Sequence, residues 1–511
     1  MKPVIPMNTS QNQPMPRPDL KDRQDLSIYW DNHLRVAFNE GAPHIYPAMV
    51  EASLAHVYML TKQGILPRAR GKLLLSGLLA LWERTESGAQ EYLFDGSVED
   101  PYYFLEQQLA RECGIPTSEL DVQLARSRND LDAGVFRMVL RRQLLAQTSL
   151  VVQAAADAAA QAGVNAESLI IGFTHRRPAQ PTTIGHVLAG LSEALLSQAT
   201  EMLSIYAELN VSPLGSAAFT GTDLPIDSEL VGRLTGFESS FTSSYEAVAG
   251  AEHFMRLAAV HARITATGAR FSRVLLEWMT FKWVETPTSF TQGSSIMPQK
   301  KNPVVLEHMV SMAGVTAADM AATYANIGSA WYEDSNNATT DVQKHLWRAG
   351  ERVERFVRML DGLLLDLKVL ALPSHDEIVA SGATTTAVAE SLAARGIPWR
   401  AAHDIVGGLV RANAPADWST DGVAAAFAAA GTDTTPELVE ITLGAGQRPA
   451  MILSRAQAGS PGSQAVRHNA AESQGRADAL GHEVQRRRES LDGIREALMA
   501  TATRAVAGDT W

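Results

Sequence analysis

With Cys113 as its single cysteine, the chain cannot build an intrachain disulfide framework or a cysteine-rich metal site. That scarcity fits a reducing cytoplasm. Positive charge is also short: 44 Lys and Arg face 56 Asp and Glu, a formal net charge of −12 over 511 residues. Such a surface repels a phosphate backbone and argues against nonspecific nucleic-acid binding, so an anionic ligand needs a local cationic pocket. No apolar run reaches the length that spans a bilayer. The nearest, Met359 to Leu372, is interrupted by Asp361, Asp366 and Lys368 and reads as a buried or half-buried helix. Residues 1–23 are rich in Pro, Asn and Gln, lack the apolar stretch of a signal peptide, and read as a flexible tail.

What the chain has in abundance is helical pattern. Between His186 and Leu209, the residues Leu188, Leu191, Leu195, Met202, Ile205 and Leu209 return at steps of three, four or a multiple. Such a helix is roughly 35 Å long, and it stops where Pro213 disfavours helical geometry in its predecessor. Similar patterns cover Ser243 to Arg270, Val304 to Ile327 and Asp341 to Leu370. The expected fold is therefore all-α, an elongated bundle of long helices with few, short strands. Composition shifts suggest a helical domain over residues 24–120, the long-helix bundle over 121–372 and a carboxy-terminal helical domain over 373–511. The last includes a loop at Ala458-Gly459-Ser460-Pro461-Gly462-Ser463. His186, His253 and His261 lie on apolar helix faces and read as core or interface residues. Arg141 and Arg142 read as surface or subunit-contact charges, and Arg176 and Arg177 as a solvated pair.

One stretch carries chemistry: Gly293-Ser294-Ser295-Ile296-Met297-Pro298-Gln299-Lys300-Lys301-Asn302-Pro303. Its composition suits a mobile loop that leads into a helix near Val304. A serine hydroxyl is a poor base because its ionised form is high in energy. Nearby Lys ammonium groups and backbone N–H groups at a helix start would stabilise that form. By composition alone the loop could bind phosphate, bind carboxylate, present a catalytic serine, or be a solvated Ser/Lys loop.

The stretch resembles the signature loop of the fumarase/aspartase superfamily, and its Gln-Lys-Lys-Asn-Pro ending is similar to the argininosuccinate lyase branch. Four further segments resemble that branch in order. They are Ser127-Arg128-Asn129-Asp130; Gly172-Phe173-Thr174-His175 with Ala179-Gln180-Pro181; Pro213-Leu214-Gly215-Ser216 with Gly221-Thr222; and Gly396-Ile397-Pro398-Trp399-Arg400-Ala401-Ala402-His403. The resemblance implies a mostly helical homotetramer with a twenty-helix core, each active site drawing on three subunits. It also implies a β-elimination that releases fumarate from a succinyl group bearing an amine; that chemistry requires no cofactor, the chain shows no metal-ligand spacing, and its charge and hydropathy lead to the expectation of no nucleic acid and no membrane. Residue by residue, it makes Ser294 the base that removes the Cβ proton. Lys300 and Asn302 would hold the carboxylate where charge develops, with Ser295 and Met297 contacting the same group. Thr174 and His175 would lie across the site, His175 as acid, base, water relay or positioning residue. Ser127, Arg128 and Asn129 would bind the other carboxylate, Gln180 would stand behind them, and Ser27 would be a further ligand.

The likeness weakens where an amine would be held. The branch carries a compact Tyr-Asn-x-Asp-Leu-Gln-Glu-Asp-Lys stretch for arginine, whereas this chain has a longer run from Trp331 to Lys344. Tyr332 matches the tyrosine and Asp341-Val342-Gln343 the Asp-Leu-Gln, while the Glu-Asp-Lys ending is absent. The segment before Ser53-Leu54-Ala55-His56 also looks longer than usual. Machinery for the succinyl half is retained and that for arginine altered. The expectation is a carbon–nitrogen lyase acting on another N-substituted aspartate, an aminopolycarboxylate such as ethylenediamine-disuccinate or iminodisuccinate. The alternatives are a true argininosuccinate lyase and a catalytically silent structural protein on the same scaffold.

Overall fold

The computed structural model describes residues 27–509 and Trp511; the stretch read as a tail, residues 1–23, lies outside the described residues. Helix dominates, as the periodicities require. Arg128–Val164 is the hub, 37 residues and so about 55 Å long. Its start is fixed by a capping box in which Ser127 and Asp130 each satisfy a backbone N–H of the other's end. Against it pack Ile184–Leu209, Thr340–Leu365 and the 45-residue Ser463–Ala507, with Glu252–Thr280 and Val304–Ser329 completing the bundle.

Ser463–Ala507 shows how sequence selects such packing. Its buried residues Val466, Ala470, Ser473, Ala477, Val484, Leu491, Leu498, Ala502 and Ala505 recur at steps of three, four or seven, a single seam on an otherwise charged helix. That seam joins the main hydrophobic core, as do Leu54, Leu74 and Leu105 from the amino-terminal helices. A smaller core around Leu392, Ile405, Trp418 and Phe427 holds the helices between Thr385 and Gly446. Residues 373–511 therefore feed three cores, the third a small cluster of Ile378, Ala383 and Ile452 with Leu169. None of the helices among the described residues is long and apolar enough to cross a membrane.

Strand is confined to short pieces. The longest pair, Leu169–Thr174 with Arg177–Thr183, forms an antiparallel hairpin after the hub helix. The chain re-enters helix at Gly185, where a Cβ would lie 2.4 Å from the Ala162 carbonyl oxygen, so only glycine permits this close return. The pattern read as one helix from Ser243 to Arg270 is two, Ser244–Ala249 and Glu252–Thr280, because Gly250 adopts extended backbone between them.

The polar residues on helix faces divide. His261 is buried with its Nε2 2.8 Å from Gln147 Oε1, and His186 sits between Thr182 Oγ1 and the Gly459 carbonyl. Arg176 pairs with Glu277 while remaining largely exposed. Arg141 departs from its surface reading: it is fully buried, its guanidinium donating to Asn210 Oδ1 and to the carbonyls of Thr235 and Gly236. A helical wheel places Arg141 on a polar face, but tertiary folding covers that face with the Asn210 and Gly236 loops.

Candidate active site

The predicted site residues fall at the two ends of the bundle. At one end, Ser127 caps the hub helix: its Oγ accepts the Asn129 N–H at 3.3 Å, and its own N–H donates to Asp130 Oδ1 at 2.9 Å. Asp130 Oδ2 then accepts the N–H groups of Gly215 and Ala217 at 2.9 and 3.1 Å, and Asn129 Nδ2 donates to the Ala218 carbonyl. One buried carboxylate thus ties the Ser-Arg-Asn-Asp motif to the Pro-Leu-Gly-Ser loop. Ala217 is held at φ +52° there, a conformation unfavourable for a residue with a side chain. Desolvation pushes the Asp130 carboxyl up to about 6 even though three N–H groups oppose the shift.

Arg128 is not an open cationic fork. Its Nη2 lies 2.6 Å from Asp100 Oδ2, its Nη1 3.3 Å from Glu99 Oε1, and its guanidinium over the Tyr103 ring. Asp100 also caps the Pro101–Cys113 helix through the Tyr103 N–H. Tyr332, two-thirds exposed, donates its hydroxyl to Glu246, while Tyr245 donates to the Tyr332 carbonyl and its ring packs on Phe219. Gln343 is fully buried, and its Nε2 donates to the Thr339 carbonyl one turn back. Ser27 opens the first described helix; its side chain lies outside the described residues.

At the other end stands the signature loop. Gln292–Gly293 pairs antiparallel with Lys301–Asn302, so Ser294 and Lys300 face each other across the mouth of a two-residue ladder. Ser294 Oγ accepts the N–H of Met297 at 3.0 Å and of Ile296 at 3.4 Å. Those donors point at the oxygen that would carry charge if the hydroxyl ionised. Ser295, Met297 and Lys300 are exposed. The helix expected after the loop begins at Val304.

Thr174 and His175 belong to this same end. His175 and Arg176, at φ +50° and +63°, form the two-residue turn of the hairpin, with Phe173 stacked on Phe281 at 5.6 Å. Two consecutive positive φ values are the mark of a type I′ turn, which usually takes Asn or Gly, so His175 is held in a costly conformation. Gln180 lies on the returning strand, beside Thr384 and Arg455 in a cleft against the carboxy-terminal helices. The structure therefore brings Ser294, Ser295, Met297, Lys300 and Asn302 together, and Thr174 with His175 near the same end. Ser127, Arg128, Asn129 and Tyr332 gather at the opposite end, with the 37-residue hub helix between them.

Sequence reading missed Glu246, Glu99 and Asp100, whose partners Tyr332 and Arg128 are distant in the chain, and Asp132, whose Oδ1 is buried without a hydrogen-bond partner. Only Asp130 had a local signal, as the fourth residue of a capping pattern. Asp132 is the most perturbed of these carboxyls: burial pushes it up to about 7, with Asp100, Asp334 and Asp130 adding to the rise and Arg128 opposing it. An aspartate whose pKa rises on folding keeps a proton that the unfolded chain has lost. Its contribution to stability is thus complete below about pH 4 and is lost as pH climbs through about 7. Asp132→Asn should raise the thermal midpoint at pH 8 and flatten the decline in stability across that window. Equal shifts at pH 4 and pH 8 would show instead a hydrated, ordinary carboxylate.

A family model described as a lyase matches residues 106–317. The argininosuccinate lyase of Methanothermobacter thermautotrophicus is 31% identical over 370 residues, covering 72% of this chain and 78% of that protein. The argininosuccinate lyase of Citrifermentans bemidjiense is 33% identical over 370 residues, covering 72% of this chain and 80% of its own. A crystal structure of EDDS lyase in complex with formate superposes with a TM-score of 0.81 at 25% identity, covering 95% of this chain and 96% of that one. With relatedness at that level over most of its length and the signature loop intact, the chain belongs to the argininosuccinate lyase branch of the fumarase/aspartase superfamily and is a fumarate-releasing carbon–nitrogen lyase.

Proposed function

We propose that the enzyme catalyses reversible β-elimination of an amine other than arginine from an N-substituted aspartate, an aminopolycarboxylate such as ethylenediamine-disuccinate or iminodisuccinate. Ser294 takes the Cβ proton. The C–H electron pair passes toward the adjacent carboxylate, whose growing negative charge Lys300 and Asn302 receive, and the Cα–N bond then breaks as the amine leaves with a proton. The observation that carries the reading is the Ser294 hydroxyl facing two backbone N–H donors with Lys300 opposite it across the ladder. The two N–H donors already lie against the hydroxyl, which is the placement that stabilising developing charge requires.

The separation of the two residue sets supports a shared site. A helix of about 55 Å stands between Ser127 and the His175 hairpin, a distance that no succinyl substrate bridges. A homotetramer in which one copy's Ser127 end meets another's Ser294 end resolves that gap, with Ser127 and Asn129 receiving the second carboxylate. Arg128, held by Glu99 and Asp100, then acts by orienting that helix start.

The choice of amine rests on the Trp331–Lys344 run. Tyr332 is engaged by Glu246 and Gln343 by its own helix, so neither matches a free arginine-binding pair. The likeness to EDDS lyase over nearly the full chain favours the same reading. A true argininosuccinate lyase is the second reading, favoured by the curated relatives at 31 and 33% identity. Incubating the protein with fumarate and arginine, ethylenediamine or aspartate, and following loss of fumarate absorbance, separates them. Ethylenediamine or aspartate should be consumed faster than arginine; arginine as the best partner would establish the second reading, and no consumption with any amine would leave a silent scaffold.

A further inference from the structure

The signature loop is tied to the rest of the chain at its two roots. None of residues 291–304 is buried, and among the described residues the hydrogen bonds of 292–302 close within that stretch. The far root is firm, because Val305, Leu306 and Met309 of Val304–Ser329 are buried in the main core. On the near side, Val284–Glu285 pairs with Lys368–Val369, and one short turn, Thr288–Phe290, then leads into the loop. Phe290 is the last apolar side chain before Ser294, and it packs against the same core.

Its seat is Gly362, near the end of the Thr340–Leu365 helix. A Cβ on Gly362 would lie 2.7 Å from Phe290 Cζ, with Cε2 and Cε1 at 3.5 and 3.7 Å. The two similar outer distances mean that the ring points its tip at the glycine. Carbon atoms do not pack as close as 2.7 Å, so any side chain at 362 displaces the ring. Glycine is a poor helix former, yet this one stands inside a helix whose Leu360, Leu363 and Leu364 are buried. The missing side chain is a socket, and its walls are held by the core.

We propose that Phe290 is a positioning residue for the elimination: its ring, seated on Gly362, fixes where the signature loop holds Ser294. The inference rests on the reading of Ser294 as the base and adds what aims that base. Misplacing a reacting group by about 1 Å can cost roughly 10²-fold in rate, and a root made by one ring has no second apolar contact to correct the shift.

Three variants of the full-length protein test it: Gly362→Ala, Phe290→Ala, and Gly362→Ala combined with Phe290→Leu. Each single variant should lower kcat for fumarate addition by about tenfold or more, while KM for the amine moves less than about twofold. Each should also speed tryptic cleavage after Lys300 and Lys301 by about fivefold or more, because a loosened root lets the loop open locally. Cleavage at other sites should keep its native rate. In the double variant the shorter side chain leaves room for the added methyl group. Both quantities should then return to within about threefold of native, a coupling that independent effects would not show. Phe290→Ala adds no atoms and cannot clash, so it decides the matter if Gly362→Ala does not fold. Native cleavage and turnover in the single variants overturn the assignment, as does a loss that the double variant does not recover. Faster cleavage with native turnover, or slower turnover with native cleavage, overturns the positioning role. If the native protein consumes no fumarate with any amine yet cleavage changes and recovers as stated, the anchor stands and the proposed reaction falls. If fumarate is consumed and Phe290→Ala behaves as native, only the anchor falls.

Discussion

Replacing Ser294 with alanine should lower kcat for fumarate release by about 10³-fold or more, the scale expected when a positioned proton acceptor is removed. The fold should not change. Ser294 stands in a loop whose neighbours Ser295, Ile296 and Met297 are exposed, and its hydroxyl does no more structurally than accept two local N–H groups. Circular dichroism and light scattering should therefore match the native protein. Substrate KM should also change far less than kcat, because the proton is held by Ser294 only as the reaction proceeds. Lys300→Met provides the contrast: it removes charge from the site that receives the dianion and should reduce turnover without removing the base. Retained activity in the alanine variant would take Ser294 out of the mechanism and leave Lys300 and His175 as the groups to test.

The second large effect is on stability. Arg141→Met should cost on the order of 3 to 5 kcal/mol, as expected when one partner of a buried, charge-assisted network is deleted. The guanidinium donates to Asn210 Oδ1 at 2.7 Å and to the Gly236 carbonyl at 3.0 Å, takes up the Thr235 carbonyl as well, and lies 4.3 Å from the Phe237 ring centroid. Without it three acceptors are left buried and open. The loss also reaches the site, since Asn210 and Thr235 bracket the 213–222 loop that Asp130 ties to Ser127. Denaturant unfolding at pH 7 measures the cost. A loss below about 1 kcal/mol would mean that water replaces the side chain, as at an exposed ion pair.

These two residues mark what is legible in a chain of this kind. Ser294, Lys300 and Asn302 lie within nine consecutive residues, and a two-residue ladder is enough to set them across from one another. The capping box at Ser127 is likewise closed by residues three apart in the chain, although the sequence was read for Ser127 only as a carboxylate ligand. Arg141 was misread because its partners stand 69, 94 and 95 residues away, and helical periodicity reports only which side of a helix a residue is on. Gln343 and Tyr332 were expected to face substrate. One is buried against the Thr339 carbonyl and the other is tied to Glu246, and both outcomes depend on how neighbouring helices approach.

The sequence by itself determined the all-α bundle, because long apolar repeats at helical spacing can be satisfied only by helices packed on helices. It also singled out the loop proposed to react, because that motif is written in adjacent residues. Only the tertiary structure decided that the two sets of site residues stand at opposite ends of a long helix, that Arg128 is already neutralised, and that Phe290 is seated on Gly362. The reason is physical: periodicity and motifs record interactions within a few turns of chain, whereas burial, charge pairing and cavities arise from surfaces that meet only when distant segments pack together.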